Sequence, residues 1–187
     1  MAGDPKGEIY TRRTFSKDRY VSKVLNSYGH PVPMVAGKLQ SPGRKFEAQI
    51  VSTSFTPEKD VLVVDLTKAY EAPELKSLIR TFTYDKKAMK ISIKDEVEMT
   101  TPSDFNTPII TTHCAVEKVA GDASKLIFKQ TVRKDTYTVK VDIDTNGSSW
   151  KLDEEIIENP GVANVKRLGI SLKEKCLKAS ITVSYSL

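Results

Sequence analysis

The 187-residue chain is poor in the residues that carry most enzyme chemistry. It has two histidines and two cysteines, and no apolar run approaches the roughly 18 residues a membrane span requires. No Gly-x-Ser-x-Gly elbow, phosphate-cradling glycine loop or His-Glu-x-x-His helix is present, which removes the main support for hydrolase and nucleotide-binding classes. Cys114 and Cys176 do not form a Cys-x-x-Cys pair, so a thiolate zinc site and a dithiol redox motif are both excluded. They are expected to be half-buried strand residues, with a disulfide between them as the alternative. With nine glycines, nine prolines and 28% charged residues, collagenous and wholly disordered classes do not fit either. The opening Met1-Ala2-Gly3-Asp4-Pro5 has no apolar stretch resembling a secretion signal, so no address is expected within the sequence as it stands.

What is present is an uneven charge. Residues 1–45 hold nine Lys or Arg against three Asp or Glu, whereas residues 46–187 are nearly balanced, with twenty against twenty-one. The densest part, Arg12, Arg13, Lys17, Arg19 and Lys23, is opposed only by Asp18. Such a cluster concentrates anionic ligands around it. No helix-turn-helix, zinc-finger spacing or aromatic nucleic-acid signature accompanies it, so nucleic acid is not the expected partner. An acidic polysaccharide suits the same field.

From residue 46 onward, short β-branched and aromatic runs alternate with turn residues, the pattern of an all-β, two-layered antiparallel sandwich. Strands are predicted at Ala48–Phe55, Val61–Leu66, Leu78–Tyr84, Met89–Met99, Ile109–Val116, Leu126–Val132, Thr136–Ile143, Trp150–Ile157 and Cys176–Tyr185. The second is apolar enough to be central. Met89–Met99 alternates almost without a break, as a strand with one wet face does. Asn146-Gly147 predicts a hairpin between its flanking strands, and Asn159-Pro160-Gly161 a chain break. Helix is limited to about one turn within Lys68–Leu75, because Pro73 stops it. Residues 1–45 read as strand, turn, strand and an irregular loop packed on a sandwich formed by 46–187.

The two imidazoles differ in setting. His113 lies in a predicted strand and reads as structural. His30 follows Gly29, which permits a bend, and precedes Pro31, which favours an extended backbone, so the loop can present its ring outward. Spacing alone does not make His30, or the carboxylate Asp4, a metal ligand.

The series Asp4-Pro5-Lys6-Gly7-Glu8-Ile9-Tyr10-Thr11, Thr14–Tyr20, Asn26-Ser27-Tyr28-Gly29-His30-Pro31-Val32-Pro33 and Gly37–Gln40 resembles the heparinase II/III-like family of polysaccharide lyases. Asp65–Tyr70 and Arg80-Thr81-Phe82 extend the likeness over about residues 3–100; the remainder matches only as generic β structure. The resemblance implies a supersandwich-like domain that follows a helical toroid in full-length, periplasmic or secreted members. These cleave uronate-containing polysaccharides, glycosaminoglycans among them, by β-elimination. It implies that the toroid supplies a tyrosine base and a carboxylate-neutralising group, and that an upstream His-x-His segment supplies a histidine and a zinc ligand. By position, Asp4 and His30 are the remaining zinc ligands. Lys6 and Pro31 stand where many members have glycine and asparagine.

Only three residues precede Asp4, so the expectation is a lyase sandwich with no catalytic residue of its own. Such a chain is incomplete without its toroid and holds an incomplete zinc site. The alternative is a free-standing module that binds acidic polysaccharide through Tyr28, Arg12 and Arg19. A third reading, a complete small lyase, would use Tyr28 and His30 as base and partner.

Overall fold

The computed structural model describes residues 8–159 and 161–187. Asp4 and the rest of the Asp4–Gly7 stretch lie outside the described residues. Among the described residues, twelve strands follow in chain order: β1 (Met34–Val35), β2 (Gln49–Phe55), β3 (Lys59–Asp65), β4 (Leu75–Asp85), β5 (Lys90–Ser103), β6 (Phe105–Thr112), β7 (Ala115–Lys118), β8 (Lys125–Val132), β9 (Asp135–Asp144), β10 (Trp150–Ile157), β11 (Val165–Leu172) and β12 (Cys176–Ser186). They form two antiparallel sheets. The smaller has the order β1-β6-β11-β10 and the larger β2-β3-β4-β5-β12-β9-β8-β7. Helical structure among the described residues is confined to short 3-10 turns. Among the described residues no helix is long and apolar enough to cross a membrane. The all-β sandwich inferred from period-two patterning is what the chain adopts.

The core lies between the sheets. Leu78, Leu126, Val141 and Ile181 from the larger sheet meet Phe105, Leu168 and Ile170 from the smaller, all essentially inaccessible to water. Alternation explains β5 residue by residue: Asp95, Val97 and Met99 point inward, while Glu96 and Thr100 are exposed. One inward position is thus a carboxylate. Its register partner on β4 is Arg80, and the two form a buried bidentate pair, Nε to Oδ1 at 2.7 Å and Nη2 to Oδ2 at 2.8 Å.

The structure differs from the sequence expectations in several places. Residues 9–11 are not strand; the basic segment runs through 3-10 turns at Arg13–Phe15 and Lys17–Val21, then another at Ser27–Gly29. Ser16 and Asn26 cap the second and third of these, accepting from the amides of Asp18 and Tyr28. The predicted strand Ile109–Val116 is two strands in different sheets, broken at His113-Cys114. His113 is therefore exposed in a bend rather than structural within a strand. Cys114, in the same bend, is buried, and it is not bonded to Cys176. β3 lies one strand in from the sheet edge and is half-buried rather than central, because four strands cannot cover eight.

The Asn146-Gly147 turn exists, with φ of 51° and 81°, but it is not a hairpin. β9 pairs with β8 and β12, whereas β10 pairs with β11. The turn carries the chain from one sheet to the other. β11 has no counterpart among the predicted strands. Its alternation is interrupted by a bulge at Leu168/Gly169, opposite Pro108 of β6, and by Arg167, which is buried.

Candidate functional site

The Ser27–Pro33 loop is held by side chains from both sheets and is tied down at almost every residue. Ser27 Oγ accepts from the Gln40 amide at 2.9 Å. The His30 amide donates to the Ser27 carbonyl, and the Val32 amide reaches back to the His30 carbonyl at 2.8 Å, a tight turn about Pro31. Side chains from the sheets hold the rest. Arg80 Nη1 donates to the Pro31 carbonyl, Tyr70 Oη to the Pro33 carbonyl at 2.6 Å, and Arg167 Nε to the Tyr28 carbonyl at 2.8 Å. His30 is thus bracketed by two guanidinium groups, one from each sheet, on the carbonyls at positions 28 and 31.

Buried carbonyls need donors, and arginine supplies several in fixed directions. Arg80 uses Nε and Nη2 on Asp95 and keeps Nη1 for the loop. Burial lowers its pKa, but the Asp95 carboxylate more than offsets this and holds the group protonated. Thr107 Oγ1 also donates to Asp95 Oδ2. The quoted Asp65–Tyr70 and Arg80-Thr81-Phe82 stretches therefore have a physical role. Asp65 accepts from the Thr67 amide at 2.8 Å and starts the short turn that carries Tyr70.

A second cluster surrounds Tyr28. Its ring lies under the Arg167 guanidinium, 4.1 Å from the ring centre, and beside Lys23 Nζ at 5.0 Å. Its hydroxyl donates to Glu155 Oε2, and Lys23 pairs with Glu155 Oε1. Burial, then the hydrogen bond to Glu155, raises the Tyr28 pKa. The phenol is therefore held protonated, the opposite of what a tyrosine base requires. Burial raises the Glu155 pKa, but hydrogen bonds from Lys23 and Tyr28 prevail and hold it below the ordinary carboxylate range. Arg167 extends the network through Asn106 Oδ1 at 3.2 Å, and Asn106 Nδ2 reaches Asp153 at 3.0 Å. Arg167, Glu155 and Arg80 were missed as site residues. An arginine within an apolar strand pattern, as in Val165–Leu172, was the available signal.

His30 lies on a cleft of about 340 Å³ shared with Tyr20, Asn26, Ser27, Val32 and Gln40. Pro31 faces the other way and closes one side of a 330 Å³ apolar cavity between the sheets, lined by Ile93, Ile109, Phe128 and Tyr185. No group of three or more His, Cys, Asp or Glu forms a metal site among the described residues. The donors described do not fit zinc's usual four-coordinate demand on their own.

The basic residues divide in two. Arg13 is neutralised by the buried Glu8 at 2.7 Å and Lys23 by Glu155. Arg12 and Lys17 are exposed with no ionic partner among the described residues, and Arg19 is half-exposed, with a long contact of 3.4 Å to the Thr14 carbonyl. Beside them Tyr10 and Phe15 are 73% and 76% exposed, with ring centres 5.5 Å apart. The structure does not bring Arg12 or Arg19 into the Tyr28 cluster through any hydrogen bond or ion pair among the described residues.

No protein-family model matches the sequence, and a search of curated proteins finds no match. Solved structures do match in fold. A heparinase III gene product with methylated lysines gives a TM-score of 0.70 at 15% identity over 100% of this chain and 28% of its own. A second heparinase III gives 0.65 at 12% identity over 96% and 26%. Heparan sulfate lyase from Pedobacter heparinus gives 0.63 at 14% identity over 100% and 28%. The chain has the fold of a partial heparinase-like domain and spans about a quarter of the length of the lyase chains it matches.

Proposed function

We propose that the chain is the β-sandwich domain of a polysaccharide lyase that cleaves uronate-containing chains by β-elimination. One observation carries the reading: the fold of this chain, over its length, is similar to that of about a quarter of heparinase III and heparan sulfate lyase structures. In β-elimination a base takes the proton at C5 of the uronate, the C5–H electron pair forms the C4–C5 double bond, and the bond from C4 to the glycosidic oxygen breaks. That oxygen leaves with a proton. Tyr28 is not poised as the base for the first step, since its hydroxyl is donated to Glu155 and burial with that bond raises its pKa. The sandwich instead supplies Asp4 and His30 toward a zinc ion that a helical toroid and its histidine segment complete. Zinc would add a positive charge to the site. The setting is a periplasmic or secreted enzyme.

The test measures the ultraviolet absorbance of unsaturated uronate product from heparin, heparan sulfate, chondroitin, hyaluronan and alginate, with zinc present. The isolated folded chain is expected to yield none. Product that disappears in His30→Ala or Tyr28→Ala would mean that the sandwich has a complete active site.

A second reading, a module that binds acidic polysaccharide without cleaving it, is favoured by the exposed Tyr10 and Phe15 next to Arg12 and Lys17. Aromatic faces against sugar rings and cations against carboxylates or sulfates are the contacts such a surface offers.

A further inference from the structure

The smaller sheet has four strands and the larger eight, and the inner face is left partly unfilled where they part. β6 ends at Thr112, and the chain bends away at His113-Cys114. Beside that end lies the apolar cavity of about 330 Å³. Ile93 of β5, Tyr185 of β12, Val139 of β9 and Phe128 of β8 line it from the larger sheet, Ile109 of β6 from the smaller, and Pro31 closes one side. Ile91, also in the lining, is 46% exposed, which places the mouth at the start of β5. No charged side chain lines the cavity, and the Tyr185 hydroxyl already donates to the Ile109 carbonyl at 2.6 Å. A water molecule settles in a cavity only with roughly two to four polar partners, so this is not a water site. Gln130 is the exception in the lining. The inward positions of β8 run Leu126, Phe128, Gln130, so an amide stands where a third apolar residue would continue the row. It is half-buried, and its side chain makes no hydrogen bond among the described residues.

We propose that this cavity binds one small uncharged molecule, an apolar body carrying a single neutral hydrogen-bonding group that meets the Gln130 amide. Volume, charge and the position of Gln130 select this class. At about 30 Å³ for each non-hydrogen atom, the space holds on the order of ten such atoms, the size of a two-ring aromatic or a medium-chain alcohol. Burying a charge without a partner is strongly unfavourable, and the lining offers no partner. Carboxylates, ammonium groups and uronate or sulfated sugars are thereby set aside, so the occupant is chemically unlike the polysaccharide of the lyase reading. Gln130 can both donate and accept, which suits a hydroxyl. An apolar wall with one placed polar group is the usual build of a small-molecule site. Because Pro31 faces this cavity and His30 the other cleft, an occupant packs against the His30 loop from the side away from the imidazole. The site is independent of the lyase reading.

Naphthol is the probe, compared with naphthalene, which lacks the hydroxyl, and naphthoate, which is charged. Fluorescence titration of the full chain should show one naphthol bound per chain. Its affinity should exceed that of naphthalene roughly three- to tenfold, the worth of one hydrogen bond, and that of naphthoate at least about tenfold. Gln130→Leu should bring naphthol and naphthalene within about twofold of each other. Val139→Phe, which fills the space from β9, should weaken both at least about tenfold. Methyl NMR of the wild-type chain locates the probe without a substitution: the Ile93, Ile109 and Val139 methyls should shift on adding naphthol, and those of the exposed Ile50 and Val51 on β2 should not. The absence of saturable binding overturns the proposal. So does binding that shifts other methyls instead, that takes naphthoate equally well, or that keeps its preference for naphthol in Gln130→Leu.

Discussion

Arg80 donates to the carbonyl of Pro31, 49 residues earlier in the chain, from a guanidinium whose other two donating nitrogens are bound to Asp95. A salt bridge inside the sheet therefore doubles as the fastening of the loop that carries His30. Arg167 does the same from the opposite sheet, on the carbonyl of Tyr28. The loop bridges the two layers, so its geometry depends on their relative placement.

The two roles of Arg80 can be separated. Arg80→Met leaves the Asp95 carboxylate buried without its partner, and chemical unfolding should show a loss of about 3–5 kcal/mol. Replacing both members, Arg80→Met with Asp95→Leu, should restore most of that stability, since an apolar pair of similar volume avoids the unpaired charge. The Pro31 carbonyl still lacks its donor. Hydrogen exchange at the Val32 amide should therefore remain faster than wild type in the double variant even as global stability returns. Equal recovery of both would mean that Arg80 does not hold the loop.

Glu155 sets an acid limit on the attachment of the Tyr28 cluster. Its folded-state pKa lies below the ordinary value, because Lys23 and Tyr28 outweigh the cost of its burial. Glu8 behaves alike: burial raises it, and Ser22, Arg13 and Thr14 bring it below the ordinary value. A depressed carboxylate contributes stability that is complete above its unfolded pKa and disappears as pH falls through the folded one. The melting temperature should thus hold from about pH 7 to 5 and decline below about pH 4.5. Glu155→Gln should lower the neutral-pH melting temperature and flatten part of the acid decline. A decline as steep as wild type in that variant would assign the acid sensitivity elsewhere.

Much of the fold was legible because the β-strand period is local. Eight of the predicted runs overlap one principal strand each, and β10 begins and ends where the alternation does. What escaped depended on distant partners. Asn146-Gly147 adopts the left-handed conformations that its residue types favour, but whether the next strand doubles back or crosses to the other sheet is decided by β11, which pairs with β10. The tight β8–β9 hairpin turns instead at Arg133-Lys134, where Arg133 takes a φ of 59° without glycine or asparagine to signal it. The site divides in the same way. Tyr28 and His30 were visible in a loop made conspicuous by glycine and proline. Arg80, Glu155 and Arg167 were not, because the contacts by which they hold the loop and Tyr28 reach residues 49 to 139 positions away.

The exposed cations make a measurable distinction within the basic segment. Arg12 has no ionic partner among the described residues and Arg19 only a long contact, whereas Arg13 and Lys23 are already paired with carboxylates. If the chain binds heparin or alginate, Arg12→Ala with Arg19→Ala should weaken binding roughly two- to tenfold at low ionic strength, in line with the small worth of exposed ion pairs. The difference should shrink as salt is raised toward 0.5 M. Titration calorimetry across a salt series measures both. Binding that is absent at low salt, or indifferent to it, would remove the polysaccharide-module reading.

Gly29 is the position where the loop has no room. A Cβ built there would run into the Lys23 carbonyl oxygen and lie 3.2 Å from Val24 Cα, and these are backbone atoms that cannot swing aside. Val24 is itself buried against Ile157 and Val165, so the segment cannot retreat without opening that small core. Gly29→Ala should therefore push the 3-10 turn off the sheet, pull Tyr28 from beneath Arg167 and leave the buried guanidinium facing an emptied position. The expected loss is about 2–4 kcal/mol, the range of overpacking combined with a broken buried contact. Tyr28→Phe tests the same cluster more gently. It keeps the ring under Arg167 and removes only the hydroxyl from Glu155, for about 1 kcal/mol at this half-exposed site. If Gly29→Ala were no worse than Tyr28→Phe, the loop would have slack that its close approach to Lys23 denies.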